Sequence, residues 1–419
     1  MFGCVDAEIL NVILGPDKLP HPIYHNPDMF RRQAIRSIRQ VTGSVKPAVY
    51  SNASASLFFR RFASINARAV VYSEHGKPTE VLKVHSYKID SPKADEINVR
   101  FLAAPINPSD INQVEGVYPS KPEKSTVLGT AEPAAVGGNE GLVEVLETGS
   151  SIKGFQKGDW AIMRRVNFGT WRTHATVPED QLLPVPKGMR VTAAATVAVN
   201  PSTAYRMLKD FANLEKGDFF IQNGGNSGVG QAAVQIAKQW GLKSISIVRD
   251  RPNLDELKSY LKELGADYVI TEDELMNKEI REKVKQWTGG KPIKLALNCV
   301  GGKPSTKMAA LLGNGGHIVT YGAMARQPLS LPASLLIFKD IKAHGFWMTR
   351  FYNGHDKERQ EMLDEIFGWV KEGKFKEAMN DVTTWKTSAS DEELWEAFKG
   401  AMEKSQAGFG KKQVIVMEE

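Results

Sequence analysis

The sequence predicts an α/β chain in which a β-rich module precedes a parallel sheet wound by helices. Three observations carry this reading. From about residue 68 to 185 the chain runs in short apolar stretches broken by Gly and Pro: Ala69-Val-Val-Tyr72, Glu96-Ile-Asn-Val-Arg-Phe-Leu-Ala103, Gly141-Leu-Val-Glu-Val-Leu146 and Asp159-Trp-Ala-Ile-Met163. Short strands with frequent turn residues read as an all-β module. From about residue 191 to 345, apolar strands alternate with helical stretches: Phe219-Phe-Ile221, Ser246-Ile-Val248, Tyr268-Val-Ile270, Leu295-Ala-Leu-Asn298 and His317-Ile-Val-Thr320. That alternation predicts a parallel sheet joined by right-handed crossovers. The tail offers helices near 358–371 and 391–404, then Lys412-Gln-Val-Ile-Val-Met417, an apolar strand placed to return to the first module.

Length and composition set limits around that frame. A chain of 419 residues that is 42% hydrophobic and 24% charged is globular, with room for two domains. Its two cysteines, Cys4 and Cys299, build neither a disulfide framework nor a cysteine-rich zinc site. Cys299, inside an apolar run, reads as core. No apolar run is long enough to span a membrane.

The net charge of +6 points to targeting, not to nucleic acid. Between Met29 and Asn66 lie Arg31, Arg32, Arg36, Arg39, Lys46, Arg60 and Arg61, with no acidic residue and many serines. These seven charges exceed the net charge of the whole chain, so the remainder is close to neutral. Phe30, Ala34, Ile35 and Ile38 share one helical face with arginines elsewhere, which is the composition of a mitochondrial presequence. Arg60-Arg-Phe-Ala-Ser64 resembles a matrix-processing site, so the mature chain is expected to start between Ala63 and Ile65 in the mitochondrial matrix. The first 28 residues carry Asp6, Glu8, Asp17 and Asp28 against Lys18 and do not suit an import signal. Translation from Met29 is the expectation.

The chemistry-bearing feature is Asp218-Phe-Phe-Ile-Gln-Asn-Gly-Gly-Asn-Ser-Gly-Val-Gly230, in which an apolar strand enters a glycine turn that opens a helix. Such a turn brings backbone N–H groups and a helix N-terminus against a pyrophosphate. Gly225, Gly228 and Gly230 are spaced G-x-x-G-x-G, so context matters more than the motif. The second strand of the unit supplies that context, because it ends in Arg249-Asp250-Arg251. An acidic residue there would bond the ribose 2′-OH of NAD, whereas arginines accommodate the 2′-phosphate of NADP. Two guanidiniums around one carboxylate favour NADP.

These residues, with Asn107-Pro-Ser-Asp-Ile-Asn-Gln-Val-Glu-Gly-Val-Tyr-Pro119, Gly169-Thr-Trp-Arg172, Val199-Asn-Pro-Ser-Thr-Ala-Tyr-Arg206, Tyr321-Gly-Ala-Met324 and Gly345-Phe-Trp-Met348, carry a family likeness. From about Ala69 onward the chain resembles the zinc-independent medium-chain dehydrogenase/reductase superfamily and, within it, the mitochondrial trans-2-enoyl-thioester reductases. The resemblance implies a GroES-like catalytic domain over 67–195 after an N-terminal extension and presequence over 1–66. It also implies a Rossmann NADP-binding domain over 196–345 and a return to the catalytic domain over 346–419. Tyr118 falls where the family has its catalytic tyrosine. Asn200, Asn226, Ser227, Gly228, Val229, Arg249, Asp250 and Arg251 fall at positions facing the cofactor. So do Tyr321, Gly322, Ala323, Met324, Phe346, Trp347, Met348 and Lys412. Ala323 stands where the family pattern often has glycine. Asn200 also precedes Pro201, a pattern that caps helices.

The resemblance further implies NADPH as cofactor, no metal, an enoyl thioester on acyl carrier protein or CoA as substrate, and a homodimer. Metal-dependent relatives need Cys and His ligands that Cys4 and Cys299 do not provide. Reducing an unsaturated thioester places charge on its oxygen, and the Tyr118 O–H suits that task. NADPH:quinone reduction and non-catalytic NADP binding stay open as alternatives that share fold and cofactor.

Overall fold

The computed structural model describes residues 64–407 and 411–419. The extension and the presequence with its processing motif, up to Ala63, lie outside the described residues. The described residues form one compact unit.

Three sheets organise that unit. β1 (Ile65–Tyr72) pairs antiparallel with β2 (Lys83–Ile89) and with β4 (Ala135–Val136) in a small sheet. The larger β-rich sheet is centred on β3 (Glu96–Pro105), which pairs antiparallel with β5 (Leu142–Thr148), β7 (His174–Pro178) and β16 (Lys412–Glu418). β6 (Trp160–Met163) and β8 (Leu182–Val185) extend it on one side, and β15 (Asn380–Lys386) closes the other beside β16. β3 is buried at seven of its ten positions, which is why its sequence shows an apolar run with little alternation. The last strand of the chain is thus hydrogen-bonded into the sheet that the first module began.

The third sheet is parallel throughout, in the order β11 (Tyr268–Thr271), β10 (Lys243–Val248), β9 (Phe219–Gln222), β12 (Ile293–Asn298), β13 (Leu312–Thr320), β14 (Lys342–Gly345). Strand order reverses between β9 and β12, so the crossovers on either side of that point leave by opposite faces. A crevice opens there at the carboxyl ends of the strands.

Helices cover both faces. One hydrophobic cluster joins Phe220, Leu295 and Leu297 of this sheet to the helix Gly228–Trp240, and to Ala103, Leu142 and Ile162 of the β-rich sheet. The two modules therefore share a core, and burial of that common surface fixes where the crevice lies.

Candidate functional site

The turn after β9 is shaped by close approach. Gly224 has φ +61°, a left-handed conformation that favours glycine. A Cβ on Gly230 would lie 2.6 Å from the carbonyl oxygens of both Gly224 and Gly225, and one on Gly225 would lie 2.8 Å from the Ser246 side chain of β10. Ser227 is the N-cap of the helix Gly228–Trp240 and accepts a hydrogen bond from the Gly230 N–H at 3.1 Å. The first amides of that helix, at Gly228 and Val229, have no place in its hydrogen-bond ladder. They form a donor site for an anion, strengthened by the helix dipole. Val229 itself is 8% exposed and packs in the core, so its backbone alone faces the turn.

Beneath the turn lies a polar layer that no motif announces. Gln222 Nε2 donates to the Gly230 carbonyl at 3.0 Å and to Ser246 Oγ at 3.1 Å. Asn223 donates to Asn298 Oδ1 at 2.8 Å and Ser305 Oγ at 3.0 Å, and accepts from the Cys299 N–H at 2.8 Å. These links span the strand-order reversal from β9 to β12. Cys299 sits one residue past β12 and is buried, and its thiol is 2.5 Å from where a Gly224 Cβ would fall. The thiol serves as packing against the turn, with its pKa pushed up by burial.

Tyr321 donates its backbone N–H to the Asn298 carbonyl and Met324 donates to Cys299, which lays the segment 321–324 along the chain leaving β12. Ala323 and Met324 are exposed on it. Phe346, after β14, is tied to Thr320 by a 2.9 Å backbone bond. Arg249 and Asp250, at the end of β10, are exposed and Arg251 is half-buried. Burial and then the Arg249 charge lower the Arg251 pKa, so two guanidiniums share one region of positive potential. The Arg249 charge also acts on the Glu272 carboxyl, opposing the rise that burial causes there.

On the other side of the turn, Asn200, Gly228 and Lys412 line one small pocket together with Thr196 and Glu377. The N-cap of the helix Asn200–Asp210 is Val199, so Asn200 is not the cap that its place before Pro201 suggests. Its side-chain amide instead packs on Gly228, within 2.5 Å of where a Cβ would stand. Lys412 is held from behind. Its Nζ donates to Asn107 Oδ1 at 2.6 Å and lies 3.8 Å from Glu140, which is 1% exposed. Burial lowers the Lys412 pKa, and the Glu140 and Asp110 charges oppose that shift.

Tyr118 and Trp347 come from distant parts of the chain and meet. The Trp347 Nε1–H donates to the Tyr118 hydroxyl oxygen at 2.8 Å, with the rings edge to face at 6.0 Å. Trp347 is half-buried and heads the short helix Met348–Phe351, whose Met348 is buried. Burial pushes the Tyr118 phenol pKa up, with the Trp347 hydrogen bond opposing and the Asp110 charge adding to the rise. Tyr118 is therefore a neutral O–H donor at physiological pH.

The candidate site thus comprises a glycine turn at a helix N-terminus, an arginine pair at the end of β10, a buried lysine and a neutral phenol. Glu140, Asp110, Gln222 and Asn223 belong to its support and were not singled out from sequence. A buried polar residue ending an apolar run, as in Ile221-Gln222-Asn223, is the signal that marks such positions. Among the described residues no group of three or more His, Cys, Asp or Glu side chains converges to hold a metal ion.

Two family models match the chain: the alcohol dehydrogenase GroES-like domain over residues 93–187 and the zinc-binding dehydrogenase domain over residues 228–368. The donor set does not fit the metal in the second description, so the likeness there is one of fold. The enoyl-[acyl-carrier-protein] reductase, mitochondrial, of Yarrowia lipolytica is 48% identical over 359 residues, which are 85% of this chain and 94% of that one. The solved complex of Etr1p with NADP and crotonyl-CoA is 44% identical with a TM-score of 0.80, covering 84% of this chain and 100% of that one. The mitochondrial 2-enoyl thioester reductase Etr1p/Etr2p heterodimer from Candida tropicalis is 45% identical with a TM-score of 0.80 and the same coverage.

Replacing Gly230 with alanine forces a methyl against two backbone carbonyls. Overpacking of this kind costs about 1–3 kcal/mol. We expect Gly230→Ala to weaken dinucleotide binding by about 5- to 150-fold in a fluorescence titration, with the circular dichroism spectrum retained. Unchanged affinity would show that the turn does not carry the ligand.

Proposed function

This chain belongs to the mitochondrial enoyl-[acyl-carrier-protein] reductases of the medium-chain dehydrogenase/reductase superfamily, and from that premise we propose that it reduces trans-2-enoyl thioesters with NADPH in the mitochondrial matrix. The substrate is an enoyl group on acyl carrier protein or CoA, and the product is the saturated acyl thioester of mitochondrial fatty-acid synthesis. The observation that supports the reading is the Tyr118–Trp347 pair, a neutral phenol held by the indole N–H.

The cofactor fits the residues present. Glycines at 225, 228 and 230 let the turn close tightly against Ser246, Asn200 and its own carbonyls, and the first helix amides, at Gly228 and Val229, would take the pyrophosphate. Asn226 and Ser227 shape the turn, and Asn200 packs at Gly228. Arg249 and Arg251, with Asp250 between them, would take the 2′-phosphate. Tyr321, Gly322, Ala323, Met324, Phe346, Trp347, Met348 and Lys412 would hold the nicotinamide half. When bound, NADPH supplies the hydride that adds to the β-carbon.

The chain's own residues manage the charge. As hydride arrives, negative charge develops on the thioester oxygen, and a donor fixed at that place stabilises the transition state more than the ground state. Tyr118 offers its O–H, while its oxygen accepts from Trp347 and so keeps a fixed orientation. The α-carbon then takes a proton, and the saturated thioester leaves.

We divide the chain into an extension and presequence at 1–66, a catalytic domain over 67–195 completed by 346–419, and a cofactor domain over 196–345. The division is supported by the separate sheets, one wholly parallel and the others mainly antiparallel. We further propose a homodimer. β14 ends the parallel sheet, and Leu336, Ile337 and Phe338 on the neighbouring helix Ala333–Lys339 are 45%, 69% and 78% exposed. An open strand edge beside exposed apolar side chains is a surface that a second copy covers.

Four measurements check this reading. The chain from Ala63 onward should oxidise NADPH with a trans-2-enoyl-CoA and not with a quinone. Tyr118→Phe should lower kcat by about 100-fold or more with NADPH affinity kept; absence of turnover with any enoyl thioester would sink the assignment. The double change Arg249→Ala with Arg251→Ala should weaken NADPH far more than NADH, and equal losses would mean that the arginines do not read the 2′-phosphate. In sedimentation, the wild type should run as a dimer and Phe338→Asp as a monomer; a monomeric wild type removes the dimer.

A further inference from the structure

The loop that carries Tyr118 has little backbone structure of its own. It follows the helix Pro108–Val114 through Gly116, which has φ +82°. The Val117 and Tyr118 N–H groups both donate to the Asn112 carbonyl, at 3.0 and 3.2 Å. Beyond Tyr118, Pro119 and Pro122 have no N–H to give. What holds this far side of the loop is a set of side-chain amides.

Gln113, 4% exposed, uses both Nε2 hydrogens there: one goes to the Ser120 carbonyl at 2.8 Å and one to Asn167 Oδ1 at 2.7 Å. Asn167 Nδ2 reaches Ser120 Oγ at 2.9 Å and the Lys121 carbonyl at 3.2 Å. Asn167 has φ +63°, a left-handed conformation that asparagine tolerates better than most residues. Asn139 ties these together. Its Nδ2 donates to Gln113 Oε1 at 2.5 Å and to Asp110 Oδ1 at 2.7 Å, and its Oδ1 accepts from the Asn167 N–H at 2.7 Å.

The network does not end there. Asp110, 1% exposed, accepts from the Asn107 N–H at 2.8 Å, and Asn107 Nδ2 donates to Glu140 Oε2 at 2.9 Å. Asn107 Oδ1 accepts from Lys412 in the cofactor cleft, and Glu140 Oε1 accepts from the Val199 N–H, next to Asn200. One continuous chain of hydrogen bonds thus runs from the cleft wall to the two residues that follow Tyr118-Pro119. Gln113, Asn139 and Asn167 each have both amide hydrogens engaged, which makes the geometry specific.

We propose that Gln113, Asn139 and Asn167 are positioning residues that hold the Tyr118 loop in register with the Glu140–Lys412 wall of the cofactor cleft. The inference rests on the role given to Tyr118 above. These side chains touch neither substrate nor cofactor. They act through the placement of the Tyr118 hydroxyl, so their loss should appear in kcat and leave NADPH binding alone.

The test is a double-mutant cycle. Gln113→Leu removes the links to Ser120, Asn167 and Asn139 at similar volume. It should lower kcat with a trans-2-enoyl-CoA by about 10- to 100-fold, as a displaced catalytic group does, while the NADPH dissociation constant stays within about twofold of the wild-type value. Asn167→Gly, which keeps the left-handed backbone accessible, should act in the same direction and serves if Gln113→Leu fails to fold. In a Tyr118→Phe background both changes should lose most of their effect, because the group they position is gone. Losses that multiply fully in that background, or a weaker NADPH affinity with kcat intact, would overturn the proposal. An active wild type with such results discards the positioning role alone. A wild type that reduces no enoyl thioester discards the Tyr118 reading with it.

Discussion

A carboxylate buried to 1% exposure has to be compensated from all sides, and Glu140 obtains its compensation from three separate parts of the chain. One oxygen accepts from the Val199 N–H at 2.7 Å, at the entrance to the parallel-sheet region. The other accepts from Asn107 at 2.9 Å, at the cap of the helix that leads to Tyr118. Lys412, on the last strand, stands 3.8 Å away. A buried charge without partners costs several kcal/mol, and removing one partner of a buried pair is strongly destabilising. The requirement therefore fixes the relative positions of three segments that no single strand or helix connects. Those segments border the cofactor cleft, carry the phenol and close the β-rich sheet.

Compensation here is incomplete, which has a consequence for Asp110. It is buried with Asn139 and Asn107 as donors, yet burial, reinforced by the Glu140 charge, pushes its pKa up to about 6. One lysine thus serves two buried carboxyls. The sign is that of a group whose folded pKa lies above its unfolded value: the neutral acid favours the folded state at low pH, and that contribution fades as pH rises through 6. Asp110 nonetheless caps its helix in a capping box with Asn107, so its hydrogen bonds are retained locally.

Much of this arrangement was legible before any coordinates. The alternation of strands and helices from Phe219 to Gly345 forms the parallel sheet, because strands buried on both faces show continuous apolar runs. The turn at Gly224–Gly230 and the arginines after β10 stand where their spacing put them. β15 was not visible, since only Trp385 of its seven residues is buried and an edge strand shows weak alternation. The polar supports were hidden for a different reason. Gln113, Asn139 and Asn167 look like ordinary loop and helix-end residues, and their importance lies in contacts 26 to 54 positions apart. Tyr118 and Trp347 were each visible, but the hydrogen bond between them spans 229 positions and belongs to the tertiary fold.

That bond also bears on what kind of catalyst the phenol is. A tyrosine acting as a base would need a lowered pKa, from a cation or several donors at its oxygen. Tyr118 has only neutral hydrogen-bond partners, Trp347 and Thr349, and burial outweighs them, with the Asp110 carboxyl adding to the upward shift. Its neighbourhood therefore keeps the proton on the oxygen and disfavours the phenolate. The bond from Trp347 orients the oxygen in advance, so the donor is held in place before the reaction begins. A neutral, oriented O–H stabilises charge on a substrate oxygen by hydrogen bonding and gains most when that charge is largest. Such a group lowers the barrier to hydride addition without having to surrender its proton. The α-carbon proton can then come from elsewhere, and the two halves of the reduction need not share a residue.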